Sequence, residues 1–193
     1  MKKSLIILTL LASVLAFAGC SNSNTDAASI EYESYTRDTM GIQFEKPKEW
    51  YEPIESADKE DFYIFVVPNQ FSAEDKVEGR FQITKITDLS EDTILESAYK
   101  TYKDAKLQAL EGQVQNLSTI EDAKEATLFE APAKEVIVQY DSTWGEDTRT
   151  VTEVGAVVLY NGSIYVVEYF DEKVDYDKYR PVLDKLYSTI KEI

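Results

Sequence analysis

From Glu31 onward the apolar positions follow two periods: about two residues in most segments, and three to four in two of them. Glu31 to Thr36 and Gly41 to Glu45 read as short extended segments around a turn at Arg37 to Met40. Pro47 ends the second, because proline has no amide proton for a ladder. Phe62 to Val67, stopped by Pro68 and Asn69, is an aromatic and β-branched run that predicts a buried strand. Phe81 to Thr87 alternates and predicts another. Leu95, Ala98, Tyr99, Tyr102, Ala105 and Ala109 then recur at helical spacing, with Thr93 and Glu96 as a capping box and Gly112 as the stop. Strands are predicted over Val114 to Ile120 and over Ala133 to Tyr140, with Val136 and Val138 on one face and Ile137 on the other. Asn161-Gly162 between Ala156–Tyr160 and Ser163–Val167 predicts a hairpin, since both residues tolerate the positive φ of a type I′ turn. A last helix starts near Asp175 and carries a stripe of Tyr179, Leu183, Leu186, Ile190 and Ile193. Asp175 and Asp177 in its first turn suit the positive end of the helix dipole. The pattern predicts an α+β fold, one antiparallel β-sheet flanked by helices.

The first 30 residues follow neither period. Lys2 and Lys3 precede an uncharged, mostly apolar run from Ser4 to Gly19, the form of a secretory signal. The run is shorter than the roughly 20 apolar residues of a spanning helix, and polar Ser21 to Asn24 follows at once. It ends in Phe17-Ala18-Gly19-Cys20, which resembles the lipobox of bacterial lipoproteins, with Phe17 in place of the usual Leu or Val. The resemblance implies cleavage before Cys20 and attachment of lipid to its thiol. Cys20 is the only cysteine of the chain, so a disulfide within it is excluded. The organisation expected is a signal peptide over 1–19, a lipidated cysteine with a flexible small and polar linker over 20–30, and one domain over 31–193. The expected location is the extracytoplasmic face of a cell membrane.

Charge narrows the partners. The 20 basic and 36 acidic residues give a formal charge of −16, and loss of Lys2 and Lys3 with the leader takes it to −18. Nucleic acid is excluded as a partner, because phosphate binding needs basic patches. Anionic head groups repel such a domain within a Debye length of about 8 Å, a distance the linker exceeds. The same charge keeps open a divalent cation as ligand, since carboxylate oxygens suit hard cations.

Several segments together resemble a family. Tyr35-Thr36, the turn to Gly41, the alternation Ile42-Gln43-Phe44-Glu45, and Pro47 followed by Trp50 resemble the opening of PsbP-like domains. Asp88-Leu89-Ser90 before the first helix, Tyr160-Asn161-Gly162-Ser163-Ile164-Tyr165, and Tyr179-Arg180-Pro181-Val182-Leu183-Asp184-Lys185-Leu186-Tyr187-Ser188 are similar to it in the same order. The resemblance spans about residues 32 to 193; the usual aromatic after the final serine is replaced by Thr189-Ile190. It implies an α/β/α sandwich and an accessory protein that binds larger assemblies, and it carries no catalytic residues.

The residues themselves point the same way. The chain has no histidine, so it lacks the usual general base, the common zinc ligand and a Ser-His-Asp set. No nucleophile elbow, phosphate loop or EF-hand calcium loop occurs, and no cofactor is implied. A carboxylate-pair hydrolase stays open on residue type alone. The candidate partner-binding segment is Asp141 to Thr148, read as a loop, in which Trp144 would anchor a partner and Asp141, Glu146 and Asp147 would select a basic one. Against this stands the reading of a solvated loop whose tryptophan packs on the sheet. Tyr160, Tyr165 and Tyr169 form either a saccharide-stacking platform or ordinary cross-strand packing. Asn116-Leu117-Ser118 matches a glycosylation sequon, without weight in a bacterial lipoprotein. The function expected is a tethered, non-catalytic binding or assembly factor with an unknown protein partner in the cell envelope. A small-ligand or cation-binding lipoprotein is the alternative, and a carboxylate-based hydrolase is the third.

Overall fold

The computed structural model describes residues 30–51, 62–67, 79–144 and 146–193. The proposed signal peptide and Cys20 lie outside them, as do the linker residues up to Ser29. Among the described residues the chain order is β1 (Tyr32–Arg37), β2 (Ile42–Pro47), β3 (Phe62–Val67), β4 (Gly79–Ile86), α1 (Leu95–Leu110), β5 (Gln115–Leu128), β6 (Ala131–Trp144), β7 (Asp147–Tyr160), β8 (Ser163–Glu172), α2 (Lys173–Thr189) and β9 (Lys191–Glu192). They form a six-stranded antiparallel sheet, β3-β4-β8-β7-β6-β5, and a three-stranded one, β1-β2-β9. The second sheet corrects the expectation of a single one.

Side-chain alternation sends the two faces of the large sheet to different helices. Ala133 and Ile137 of β6, Val154, Ala156 and Val158 of β7, and Tyr165, Val167 and Tyr169 of β8 join Tyr179, Leu183 and Leu186 of α2 in one core. Met40, Ile42, Phe44 and Trp50 of the small sheet and its flanks close that core from outside. On the other face Val136, Val138, Val157, Ile164 and Val166 meet Ala98, Tyr99, Tyr102 and Leu110 of α1. The result is an α/β/α arrangement. Of the two readings of the tyrosines, packing holds rather than a saccharide platform: Tyr165 and Tyr169 are buried, and Tyr160 stacks on Phe129 at 5.1 Å.

The Asn161-Gly162 turn forms as expected, with φ of 46° and 72°, and pairs Tyr160 with Ser163. Other boundaries move for identifiable reasons. Helix α1 starts after Ile94, whose amide donates to Ser97 Oγ at 3.3 Å. Thr93 belongs instead to a turn with Ser90, their hydroxyls 2.9 Å apart, and Glu96 pairs with Lys134. Strand β5 runs eight residues past Ile120, with register shifts at Gln115/Ser118, Thr119/Glu121 and Glu121/Lys124. Each shift adds one residue to β5, and Asn116 and Ala123 take positive φ of 53° and 52° within them. At the C-terminus α2 stops at Thr189 and the chain returns to β2, pairing Glu192 with Ile42. Ile193 therefore leaves the predicted stripe and is exposed.

Candidate functional site

Within the segment read as a loop, Asp141 to Trp144 and Asp147 to Thr148 are strand. β6 continues to Trp144, and β7 resumes at Asp147, opposite it. The β5 ladder ends at Gln115–Asp141 and the β8 ladder at Val151–Glu172. Among the described residues, those from Ser142 to Thr150 therefore form a two-stranded ribbon that leaves the sheet without a neighbour on either side. Its base is braced on both edges. Asn116 Nδ2 and Thr150 Oγ1 each donate to Asp141 at 2.7 Å, and Arg149 Nη1 donates to Glu172 at 2.6 Å. These hydrogen bonds, from Asn116 first and then Thr150, hold the Asp141 carboxyl below the usual carboxylate range.

The four predicted residues thus divide. Asp141 is a structural brace, half-buried. Asp147 is exposed and lies 3.4 Å from Arg149, while Glu146 is exposed at the tip. The Trp144 backbone ends β6, and nothing further of that residue or of Gly145 is described. A shallow groove follows the ribbon's root, lined by Arg149, Thr150, Glu172, Lys173 and Asp177, with both charge signs represented.

Lys48 N donates to Glu31 O at 3.0 Å, and Trp50 stacks 6.5 Å from Tyr169. Tyr169 stands three residues before Glu172, the last β8 residue beside the ribbon. Ile30, the first described residue, thus precedes the Glu31–Lys48 contact, and Lys48 lies two residues along the chain from the Trp50 that stacks on Tyr169.

Buried chemistry lies elsewhere. Under α1, Lys106 Nζ lies 2.6 Å from both Glu153 and Glu168, and Tyr102 Oη donates to Glu168 at 2.7 Å. Gln82 also donates to Glu168, and Tyr140 Oη donates to Glu153 at 3.3 Å. Burial opposes charge on Lys106, but Glu153 and then Glu168 outweigh it and push its pKa well up. Burial likewise opposes ionisation of Glu168, and Lys106 outweighs it with help from Tyr102 and Gln82, so that pKa falls. Gly155 makes this network possible: a methyl there would sit 2.5 Å from Cε1 and Cζ of Tyr102. On the other face, burial pushes the Asp171 carboxyl well above its ordinary range, against a 2.7 Å hydrogen bond from Tyr169 Oη and with Asp175 adding to the rise. Sequence reading missed both networks. The members of the first come from α1 and four separate strands, with Lys106 on the buried side of an otherwise apolar helix stripe as the available signal. Those of the second, Tyr169, Asp171 and Asp175, are close in sequence, but its carboxylates are acidic residues in an acidic chain. Among the described residues, no three Asp, Glu, His or Cys side chains gather as a metal site.

No protein-family model matches the chain, and no curated protein matches it. Solved structures do. The Ran-binding protein Mog1p of Saccharomyces cerevisiae superposes with a TM-score of 0.58 at 9% identity, covering 85% of this chain and 96% of that one. The cyanobacterial PsbP protein CyanoP of Synechocystis gives 0.51 at 13% identity, covering 93% and 99%. LpqN, involved in cell envelope biogenesis of Mycobacterium tuberculosis, gives 0.50 at 14%, covering 88% and 98%. At these identities the likeness is one of fold: the domain has the α+β fold shared by PsbP and Mog1.

Proposed function

We propose that the protein is an extracytoplasmic lipoprotein, held to the membrane by lipid on Cys20, that acts as a non-catalytic binding or accessory factor through the β6–β7 ribbon. The observation that carries this is the ribbon itself, braced at its base and tipped with Glu146 and Asp147. A ten-residue tether from Cys20 to Ser29 reaches at most about 35 Å when extended and typically about 17 Å. The ribbon would therefore work close to the membrane, on a protein partner whose basic surface complements the tip. Two fold neighbours, one Ran-binding and one involved in cell envelope biogenesis, make a binding role a reasonable use of this scaffold by analogy.

The test joins tether and ribbon. A fatty-acid probe should label the wild type and not Cys20→Ala. A photo-crosslinking residue at Thr148 should capture a protein in native membranes, and capture should fall when Cys20→Ala releases the domain. Label persisting in Cys20→Ala, or capture indifferent to release, would refute the reading.

A further inference from the structure

A second surface lies on the far side of the sheet, between the last turns of α1 and the start of β5. It is an open cleft of about 620 Å³. Leu107, Val114 and Leu117 form its apolar lining, each only partly buried at the margin of the α1 core. Its charged lining groups are Asp104 and Glu111, with no basic residue among them.

The helix adds to that sign. A helix C-terminus carries partial negative charge and is stabilised by basic side chains. The last turn of α1 has none, and Glu111 caps it instead. Asp104 pairs with Lys100 on the solvent side, whereas among the described residues Glu111 has no ion pair. The cleft is thus an apolar floor beside the uncompensated negative charge of Glu111 and of the helix C-terminus.

The other wall limits how an occupant can bind. β5 is the edge of the sheet, a position that invites an added strand. Its three register shifts, the first beside the cleft at Asn116, interrupt the regular spacing that an added strand needs. Recognition here must come from inserted side chains.

We infer that this cleft binds a basic, amphipathic segment of a protein partner, with an apolar side chain on Leu107, Val114 and Leu117 and a Lys or Arg beside Glu111 at the C-terminus of α1. The inference rests on the reading of the domain as a tethered binding factor and adds a second contact surface to the ribbon.

The probe is a short peptide of alternating leucine and lysine, titrated by fluorescence anisotropy onto the full chain in phosphatidylcholine nanodiscs, with empty nanodiscs subtracted. Glu111→Lys and Glu91→Lys change the net charge equally at different places. Glu111→Lys should weaken binding about tenfold or more, the loss of a close charge pair, and Glu91→Lys less than about twofold. Equal weakening by both, or no weakening by Glu111→Lys in a variant that melts as the wild type does, would overturn the site. In native membranes a photo-crosslinking residue at Gln108 should capture a segment rich in basic and apolar residues. Capture from Thr148 but not from Gln108 would remove the cleft and leave the tethered-binding reading standing. Capture from neither would remove both, and capture of lipid or of an acidic segment from Gln108 would also overturn the cleft.

Discussion

The two faces of the large sheet are built on different physics. The α2 face is an aromatic core in which Trp50 packs 5.2 Å from Phe81, with Tyr169 and Tyr179 both 6.5 Å from it, and the small sheet covers it. The α1 face has a smaller apolar cluster, and in the second half of its helix a buried ion network of Lys106, Glu153 and Glu168 stands beside Leu110. Apolar packing is non-directional and tolerates repacking, whereas a buried ion network holds one geometry and penalises every other. Charge therefore takes a larger share in placing α1, and apolar volume a larger share in placing α2, although Arg180 of α2 also pairs with the buried Glu135 at 2.7 Å.

The most severe way to break this contrast is Lys106→Met, which strands two buried carboxylates. It should cost about 3–5 kcal/mol in chemical denaturation, and replacing Glu153 and Glu168 with leucine in the same chain should recover most of it. A loss below about 1 kcal/mol would mean that the network does not position the helix.

Gly155→Ala probes the same face by volume. Its methyl meets the Tyr102 ring and should cost about 1–3 kcal/mol. With Tyr102→Leu already present the added penalty should shrink, because both changes act on one contact. Additive melting shifts would contradict that.

Asp171 sharpens the α2 side through pH. Its folded-state pKa is raised above the ordinary 3.8, so the folded state holds a proton that the unfolded chain releases. Its contribution is complete below about pH 4 and is lost as pH rises toward the folded-state value. Asp171→Asn should therefore gain on the wild type in melting temperature from pH 4 to pH 8. A difference that does not change with pH would show that the acid is ionised in the fold.

The gentlest change is at the β5–β6 turn. Phe129 and Glu130 both take positive φ, 53° and 58°, without being glycine. Phe129 is held there by rings, 4.5 Å from Tyr165, whereas Glu130 is exposed. Glu130→Gly should raise stability by about 1 kcal/mol by relieving left-handed strain. Phe129→Gly should lower it, because the α2 core loses a ring. A destabilising Glu130→Gly would place the strain elsewhere.

How much of this was legible depends on whether a residue's role is local. The Asn161-Gly162 hairpin, the alternation of Val136 and Val138 against Ile137, and the apolar stripe of α2 up to Ile190 are local, and the sequence predicts them. The second half of β5 was not legible, because each inserted residue shifts the side-chain parity and erases the period of two. The third strand of the small sheet comes from two residues after a helix, too few for any pattern. Of the site, Glu146 and Asp147 stand exposed where a partner would meet them. Asp141 does not: its brace to Asn116 spans 25 residues of chain, and nothing around either residue signals it.

The central claim is that the ribbon binds rather than merely folds, and Trp144→Ala tests it most directly when melting temperature and partner recovery from native membranes are measured on the same preparation. A tryptophan anchor commonly carries at least about 2 kcal/mol of an interface, so recovery should fall at least about tenfold while the melting temperature stays within about 2 °C of the wild type. A lowered melting temperature with unchanged recovery per folded molecule would contradict the account, and would make Trp144 a packing residue of the sheet.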